Sequence, residues 1–215
     1  DLIPVISIIS LKGRCRYCNA VISPRYMVVE IVTSAVFVSL FYKYGLSVEA
    51  LAAAILMSAL LVVFFIDLDH KIIPDDITVT LIIAGAILYI YHIIHTINFY
   101  GDNRWYTPLL GMAAGSGILF MVAVIGMIIY KTDDAMGMGD VKIFAPIGLF
   151  LGWKLTLLTL FLSIVLGAVI SLVLLLIGIK NRKDVIPFGP FIVISTFISL
   201  LVGWNIINGY MQLYL

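Results

Sequence analysis

The chain has 215 residues, of which 63% are hydrophobic and 12% are charged, and its formal net charge is +1. This apolar share excludes an ordinary soluble domain and indicates a polytopic membrane protein surrounded by a lipid bilayer. The chain also has no basic stripe with interleaved aromatic residues, so we expect no nucleic-acid partner.

Apolar runs follow one another along the whole chain after its first 25 residues. A helix of about 20 apolar residues crosses the hydrocarbon core of a membrane. We therefore predict an all-α, polytopic transmembrane bundle over 26–215 with about seven spans, preceded by a loop segment at 1–25. The spans are expected near 26–44, 48–66, 77–98, 108–130, 142–152, 155–178 and 189–207. The 142–152 run is short and contains Pro146, which predicts a tilted, broken or re-entrant helix.

The lysines and arginines are distributed unequally between alternate loops of this topology. Ten lie on the side of the N-terminal segment, and three lie on the other side, namely Lys43, Arg104 and Lys154. Cytoplasmic loops carry the excess of positive charge in bacterial membrane proteins. We therefore predict an inner-membrane protein with a cytoplasmic N-terminus.

Two acidic loops, "IDLDHKIIPDD" and "KTDDAMGMGD", fall on that same predicted cytoplasmic side. Asp67 follows Ile66 directly, and Asp140 directly precedes the apolar "VKIFAPIG", so each carboxylate should lie at or just below the membrane interface. Ionisation at that depth is costly unless something compensates it. The other acids of these loops are expected to be loop acids or helix caps, with Asp75 or Asp76 as the N-cap of the next helix; they are Asp69, Asp75, Asp76, Asp133 and Asp134.

Asp67 and Asp140 have the properties that an acid pair for hydrolysis needs. Two carboxylates in a partly desolvated site share a proton, so one acts as a general base toward water and the other donates a hydrogen bond to a substrate carbonyl. Gly137 and Gly139 carry no Cβ atoms beside Asp140, which permits close approach of an extended substrate strand. This pattern predicts a membrane aspartic protease.

Two other functions are compatible with acids in a membrane protein. A proton- or ion-coupled transporter also carries such acids, although they usually lie near the bilayer midplane in two repeated halves. A structural assembly factor with an inert site would tolerate the loss of both aspartates.

Four segments resemble the type IV prepilin peptidases, which are membrane aspartic proteases of the GxGD class. They are "LIPVISIISLKGRCRYCNAVISPRY", "FFIDLDHKIIPDDIT", "GMGDVKIFAPIGLFLGW" and "IPFGPFI", in the order of the family. The resemblance implies that Asp67 and Asp140 form the catalytic pair. It also implies a prepilin or pseudopilin substrate with a basic leader, a glycine before the cleaved bond and an apolar helix after it. The peptidase step of this family requires no cofactor.

Many members of this family also methylate the new N-terminal amine with S-adenosylmethionine and carry two CxxC pairs suited to zinc. The chain has one pair, Cys15 and Cys18, so the resemblance implies that the first helix and half of a zinc site are absent from it. The alternative is two reduced thiols without a metal. Gly13 falls where the family has a glycine associated with methylation. Glu30, one turn into the first span, either extends to the interface or belongs to the methyl-transfer region.

Two further features lie beside these motifs. Lys142 comes two residues after Asp140 and can bias the ionisation of the acid pair. The segment "IPFGP" at 186–190 places two prolines at a helix start, which predicts a structural turn, with a role in the substrate groove as the alternative.

Overall fold

The computed structural model describes residues 10–11, 13–131, 137–179 and 186–214. Within these ranges six α-helices are long and apolar enough to cross a membrane, which confirms the predicted all-α transmembrane bundle. They are α1 (Pro24–Tyr44), α2 (Val48–His70), α3 (Asp75–Ile94), α4 (Thr107–Tyr130), α5 (Met138–Leu176) and α6 (Gly189–Tyr214). The predictions for Lys12, Asp133, Asp134 and residues 180–183 lie outside the described residues.

Helix α2 is central in this bundle because it contacts α1, α3, α5 and α6. Ser47 caps its start by accepting a hydrogen bond from the backbone N–H of Ala50 at 3.1 Å. Leu56 and Leu60 are completely buried, whereas the side chain of Val62 is exposed on the lipid side. This central helix ends with Asp67 in its last turn, so the neighbouring helices surround that carboxylate.

Helix α5 contains 39 residues, which would extend about 58 Å if straight, nearly twice the thickness of a hydrocarbon core. It is broken at Gly152, whose φ of 69° and ψ of 170° lie outside the helical region and are readily adopted only by glycine. Two arms result, 138–151 and 153–176. They correspond to the two segments predicted at 142–152 and 155–178, and the predicted boundary lies next to the observed break at Gly152.

The chain reverses direction at Gly152. A Cβ on this residue would lie 2.8 Å from Tyr100 and 2.9 Å from Thr107, which are at the end of the bundle away from Asp67. By contrast, a Cβ on Gly167 in the second arm would lie 3.4 Å from Phe188, at the end of the bundle that holds Asp67. Each arm therefore passes through the bundle separately, and the short first arm brings Asp140 to the Asp67 end.

Glycines allow α4 to pack directly on the backbone of α5. A Cβ on Gly111 would lie 2.8 Å from the carbonyl carbon of Gly152, and one on Gly115 would lie 3.1 Å from the carbonyl oxygen of Phe144. Small residues four positions apart let two transmembrane helices approach closely. This contact fixes the first arm of α5 and thereby the position of Asp140.

The start of α3 differs from its prediction. The N-cap is Pro74, and no side chain caps the helix there, so the assignment of Asp75 or Asp76 as the N-cap is wrong. Pro74 has extended backbone angles, with φ −65° and ψ 130°, and the helix begins at the residue after it. Both acids therefore lie in the first turn, where the positive end of the helix dipole favours negative charge.

Candidate active site

A cavity of about 450 Å³ opens at the end of the bundle where α2 ends and α5 and α6 begin. Asp67 and Asp140, which are separated by two intervening helices in the chain, both line it. The other polar side chains in its wall are Lys71, Asp75 and Lys142, and its apolar wall includes Ile72, Ile73, Met138, Pro187 and Phe188. The structure thus brings the two predicted acids together in a cleft that both polar and apolar side chains line.

Asp67 is held at two points. Its side chain is buried, with 5% of its surface exposed, and it accepts a hydrogen bond from the backbone N–H of Gly189 at 2.8 Å. Its carbonyl oxygen accepts a bond from the N–H of Lys71 at 2.9 Å, where the helix ends in a left-handed residue. The sequence did not single out Gly189 as a partner of this aspartate.

Asp140 lies in the first turn of α5, and its N–H donates to the carbonyl of Gly137 at 3.1 Å. Its Oδ2 atom stands 3.2 Å from the position that a Cβ on Gly137 would take. A Cβ on Gly139 would lie 3.1 Å from the Cβ of Ile73. The two glycines therefore leave room for the carboxylate of Asp140 and for the loop that follows α2. Both carboxylates line the same cavity, so a negative charge on either one disfavours ionisation of the other.

Two neighbouring acids, Asp69 and Asp75, have basic partners. The Nζ atom of Lys142 binds the two carboxylate oxygens of Asp75 at 2.9 and 3.1 Å, so the ammonium group connects α5 to α3. Arg25 pairs with Asp69 at 2.5 Å. In the part of the chain that the structure describes, neither Asp67 nor Asp140 has such an ion pair. Of the three acids that line the cavity, Asp75 is paired with a lysine, whereas Asp67 and Asp140 lack an ion pair among the described residues.

The CxxC segment forms a tight loop. The N–H of Cys15 donates to the carbonyl of Ala20 at 2.9 Å. The backbone N–H groups of Cys18 and Tyr17 lower the pKa of the Cys15 thiol by hydrogen bonding, the former more strongly. This arrangement fits two of the four ligands of a tetrahedral zinc site. Among the described residues, no group of three or more His, Cys, Asp or Glu side chains stands close enough to hold a metal ion.

Gly13 lies in this loop and Glu30 lies in α1, and neither residue is in the cavity wall. Gly13 has a φ of 72°, and its carbonyl accepts a hydrogen bond from the N–H of Ile22 at 2.8 Å, which closes the loop. The Oε2 atom of Glu30 is buried without a hydrogen-bond partner among the described residues. Such an atom is costly unless a ligand or water satisfies it. Glu30 therefore has the unsatisfied oxygen that a ligand-binding residue would present.

Comparison with known proteins identifies two matching family models. The type IV leader peptidase family matches residues 54–172, and the bacterial peptidase A24 N-terminal domain matches residues 1–44. The first match contains both aspartates of the cavity, and the second contains Gly13, Cys15, Cys18 and Glu30. No solved structure matches the chain.

Several curated proteins named prepilin leader peptidase/N-methyltransferase are similar to the chain over nearly all of its length. The protein of Legionella pneumophila is 33% identical over 97% of this chain and 69% of its own length. That of Bacillus subtilis is 32% identical over 100% of this chain and 81% of its own length. That of Aeromonas salmonicida is 34% identical over 98% of this chain and 69% of its own length.

Proposed function

The chain belongs to the type IV leader peptidase family, and we propose that it is a membrane-embedded aspartic endopeptidase that removes the leader from type IV prepilins or pseudopilins. Asp67 and Asp140 form its catalytic pair. The active site faces the cytoplasm of a bacterial cell, because the loops at this end of the predicted topology carry most of the lysines and arginines.

The observation that carries this proposal is the meeting of two unpaired carboxylates in one cavity. Asp67 ends α2 and Asp140 begins α5, so both stand at one end of the bundle. A transporter pathway would instead place its acids near the middle of the membrane. The cavity fits a hydrolytic site better, since both carboxylates reach the same space of about 450 Å³.

The proposed reaction is the hydrolysis of the peptide bond after the last leader residue, a glycine. The ionised carboxylate takes a proton from water, whose oxygen attacks the carbonyl carbon, while the protonated carboxyl group donates a hydrogen bond to the carbonyl oxygen. The C–N bond then breaks as the carboxyl group that took the proton from water gives a proton to the amine nitrogen. The products are a new carboxyl terminus and a new amino terminus, and the pair again holds one proton.

The walls of the cavity fit an extended substrate with an apolar continuation. Gly137 and Gly139 present backbone without side chains beside Asp140, so a substrate strand can approach closely. Ile73, Met138 and Phe188 supply an apolar surface for the start of the pilin helix. The basic leader would extend toward the solvent, away from the bundle.

A second activity is proposed for the full-length protein, namely methylation of the new N-terminal amine with S-adenosylmethionine as methyl donor. The loop with Cys15 and Cys18 would hold zinc as half of its ligand set, which would fix the loop as a structural unit. Gly13 closes this loop, and the unsatisfied oxygen of Glu30 is suited to bind a polar group of a ligand. In this proposal residues 1–25 and Glu30 serve methylation, and the rest of the segment 26–215 forms the peptidase.

The test is incubation of the purified protein in detergent with a precursor peptide that contains a basic leader, a glycine and an apolar segment, followed by mass measurement. The wild-type protein should release the leader. Asp67→Asn and Asp140→Asn should each lower the rate by a factor of at least about 10² to 10⁴, since each removes a catalytic acid or base.

Asp69→Asn is the matched control, because Asp69 lies in the same turn as Asp67 but pairs with Arg25 at 2.5 Å. It should retain cleavage well above background. An inactive Asp69→Asn variant together with an active Asp67→Asn variant would refute the choice of aspartate.

A further inference from the structure

The contact between Asp67 and Gly189 gives the catalytic pair an asymmetry. We propose that Gly189 is a positioning residue whose backbone N–H holds Asp67 as the ionised member of the pair, so that Asp67 is the general base and Asp140 is the acid. This inference rests on the proposed peptidase function and adds to it the role of each carboxylate.

The geometry of Gly189 leaves no room for a side chain. Its N–H donates to Oδ2 of Asp67 at 2.8 Å, and a Cβ on this glycine would lie 2.6 Å from that oxygen and 3.0 Å from the Asp67 carboxyl carbon. Its φ is not in the left-handed region, so the backbone conformation alone would accept another residue. The carboxylate of Asp67 therefore provides the steric reason for glycine at this position.

The N–H of Gly189 can donate to Asp67 because Gly189 lies at the start of its helix. Gly189 is the first residue of α6, and the first N–H groups of a helix have no partner within the helix. The positive end of the helix dipole lies at the same point and favours a negative charge beside it. The hydrogen bond favours the ionised form of Asp67, and the dipole of α6 offsets that of α2, in whose last turn Asp67 lies.

Asp140 lies in a different position. It is also in the first turn of a helix, but the described residues provide no hydrogen bond to its carboxyl group, which faces Gly137 and the cavity. When the pair holds a single proton, that proton is therefore best placed on Asp140. From there it can be donated to the carbonyl oxygen of the substrate.

The decisive test replaces the Gly189 amide by an ester, with glycolic acid incorporated at position 189, which removes the N–H and adds no side chain. The titration of Asp67 is then followed by carbon NMR of protein labelled at the aspartate carboxyl carbons, without substrate, and the Asp67 signal is identified by its loss in Asp67→Asn. Asp140, Lys71, Asp75 and Lys142 also line the cavity and are unchanged in the ester variant. The midpoint of the Asp67 titration should move to higher pH in the ester variant.

Cleavage kinetics supply the second readout. The ester variant should show a kcat about tenfold to a hundredfold lower, as expected for loss of one hydrogen bond to a charged group, with little change in KM. The acid limb of its pH–rate profile should move in the same direction as the Asp67 midpoint. A purely structural role for Gly189 would not move this limb.

Gly189→Ala and Gly209→Ala form a matched pair on α6. The added Cβ meets Asp67 at position 189 but has nothing within 4 Å at position 209, so only Gly189→Ala should lose activity. An unmoved Asp67 midpoint in the ester variant would overturn the inference whether or not the protein cleaves precursors. Failure of the wild-type protein to cleave would overturn the proposed function, and the NMR titration would still decide the inference.

Discussion

At the scale of single residues, ion pairing separates the acids around the cavity by role. Asp69 and Asp75 each bind a basic side chain, whereas Asp67 receives a backbone N–H. A carboxylate that is paired with a cation is a weaker base than one that is not, because its charge is already compensated. Within the cavity, Asp67 and Asp140 lack an ion pair among the described residues, so they are the acids suited to proton transfer.

The Lys142–Asp75 ion pair should help to hold α5 against α3 and should take no part in proton transfer. Asp75→Asn and Lys142→Met should each lower the rate of leader release by less than about tenfold and change the free energy of unfolding by at most about 1 kcal/mol, because both side chains are substantially exposed. Cleavage rates and thermal unfolding in detergent measure both effects. A loss with Lys142→Met as large as that with Asp67→Asn would mean that the ammonium acts on the catalytic pair itself.

Asp67 and Asp140 together should produce a bell-shaped dependence of cleavage rate on pH. Below the first apparent pKa of the pair both carboxyl groups are protonated and no base is present, and above the second both are ionised and no acid is present. The rate should therefore fall on both sides of a maximum. Leader release measured from pH 4 to about 10 tests this, and a flat profile would contradict a shared proton.

Sequence reasoning identified Asp67 and Asp140 but not Gly189, for a physical reason. The aspartates stand out because a carboxylate beside an apolar run is costly. Gly189 belongs to "IPFGP", whose prolines indicate a turn, and its contact with Asp67 joins residues 122 positions apart. Backbone donors of this kind have no side-chain signature. Similarly, Lys142 was placed near Asp140 by proximity in sequence, but its side chain extends to Asp75.

At the scale of helices, the contact between α4 and α5 decides where Asp140 lies. The spacing of Gly111 and Gly115, repeated by Gly148 and Gly152, was visible in the sequence and is typical of close helix packing in membranes. It could therefore have predicted which two helices pack together. The reversal at Gly152 was predicted only indirectly. The 142–152 run is too short for an upright membrane crossing, which indicated a tilted, broken or re-entrant helix.

Gly111→Ala should destabilise the protein and lower cleavage. The added Cβ would collide with the backbone of α5, which cannot move aside as a flexible side chain can, and such overpacking typically costs about 1–3 kcal/mol. Gly117→Ala is the control on the same helix, because nothing lies within 4 Å of its Cβ position. Thermal unfolding in detergent should separate the two variants, and equal stability would show that α4 and α5 do not pack this closely.

At the scale of the whole molecule, the two proposed chemistries use separate parts of the chain. The cavity wall is built from α2, α5 and the segments beside them, whereas the CxxC loop precedes α1 and is held by its own backbone hydrogen bonds. The two family matches divide the chain in the same way, at residues 1–44 and 54–172. One activity should therefore be removable without the other.

The double variant Cys15→Ser, Cys18→Ser tests this separation in a full-length protein that methylates its product. It should still remove the leader at close to the wild-type rate, because Asp67 and Asp140 depend on contacts elsewhere. Methylation should be lost, since two missing thiolates would prevent a four-ligand zinc site from holding the loop. Incubation with precursor and S-adenosylmethionine, followed by mass measurement, reports both steps in one product. Loss of cleavage together with methylation would show that the loop supports the catalytic pair, and a fully methylated product would place the methyl-transfer site away from these cysteines.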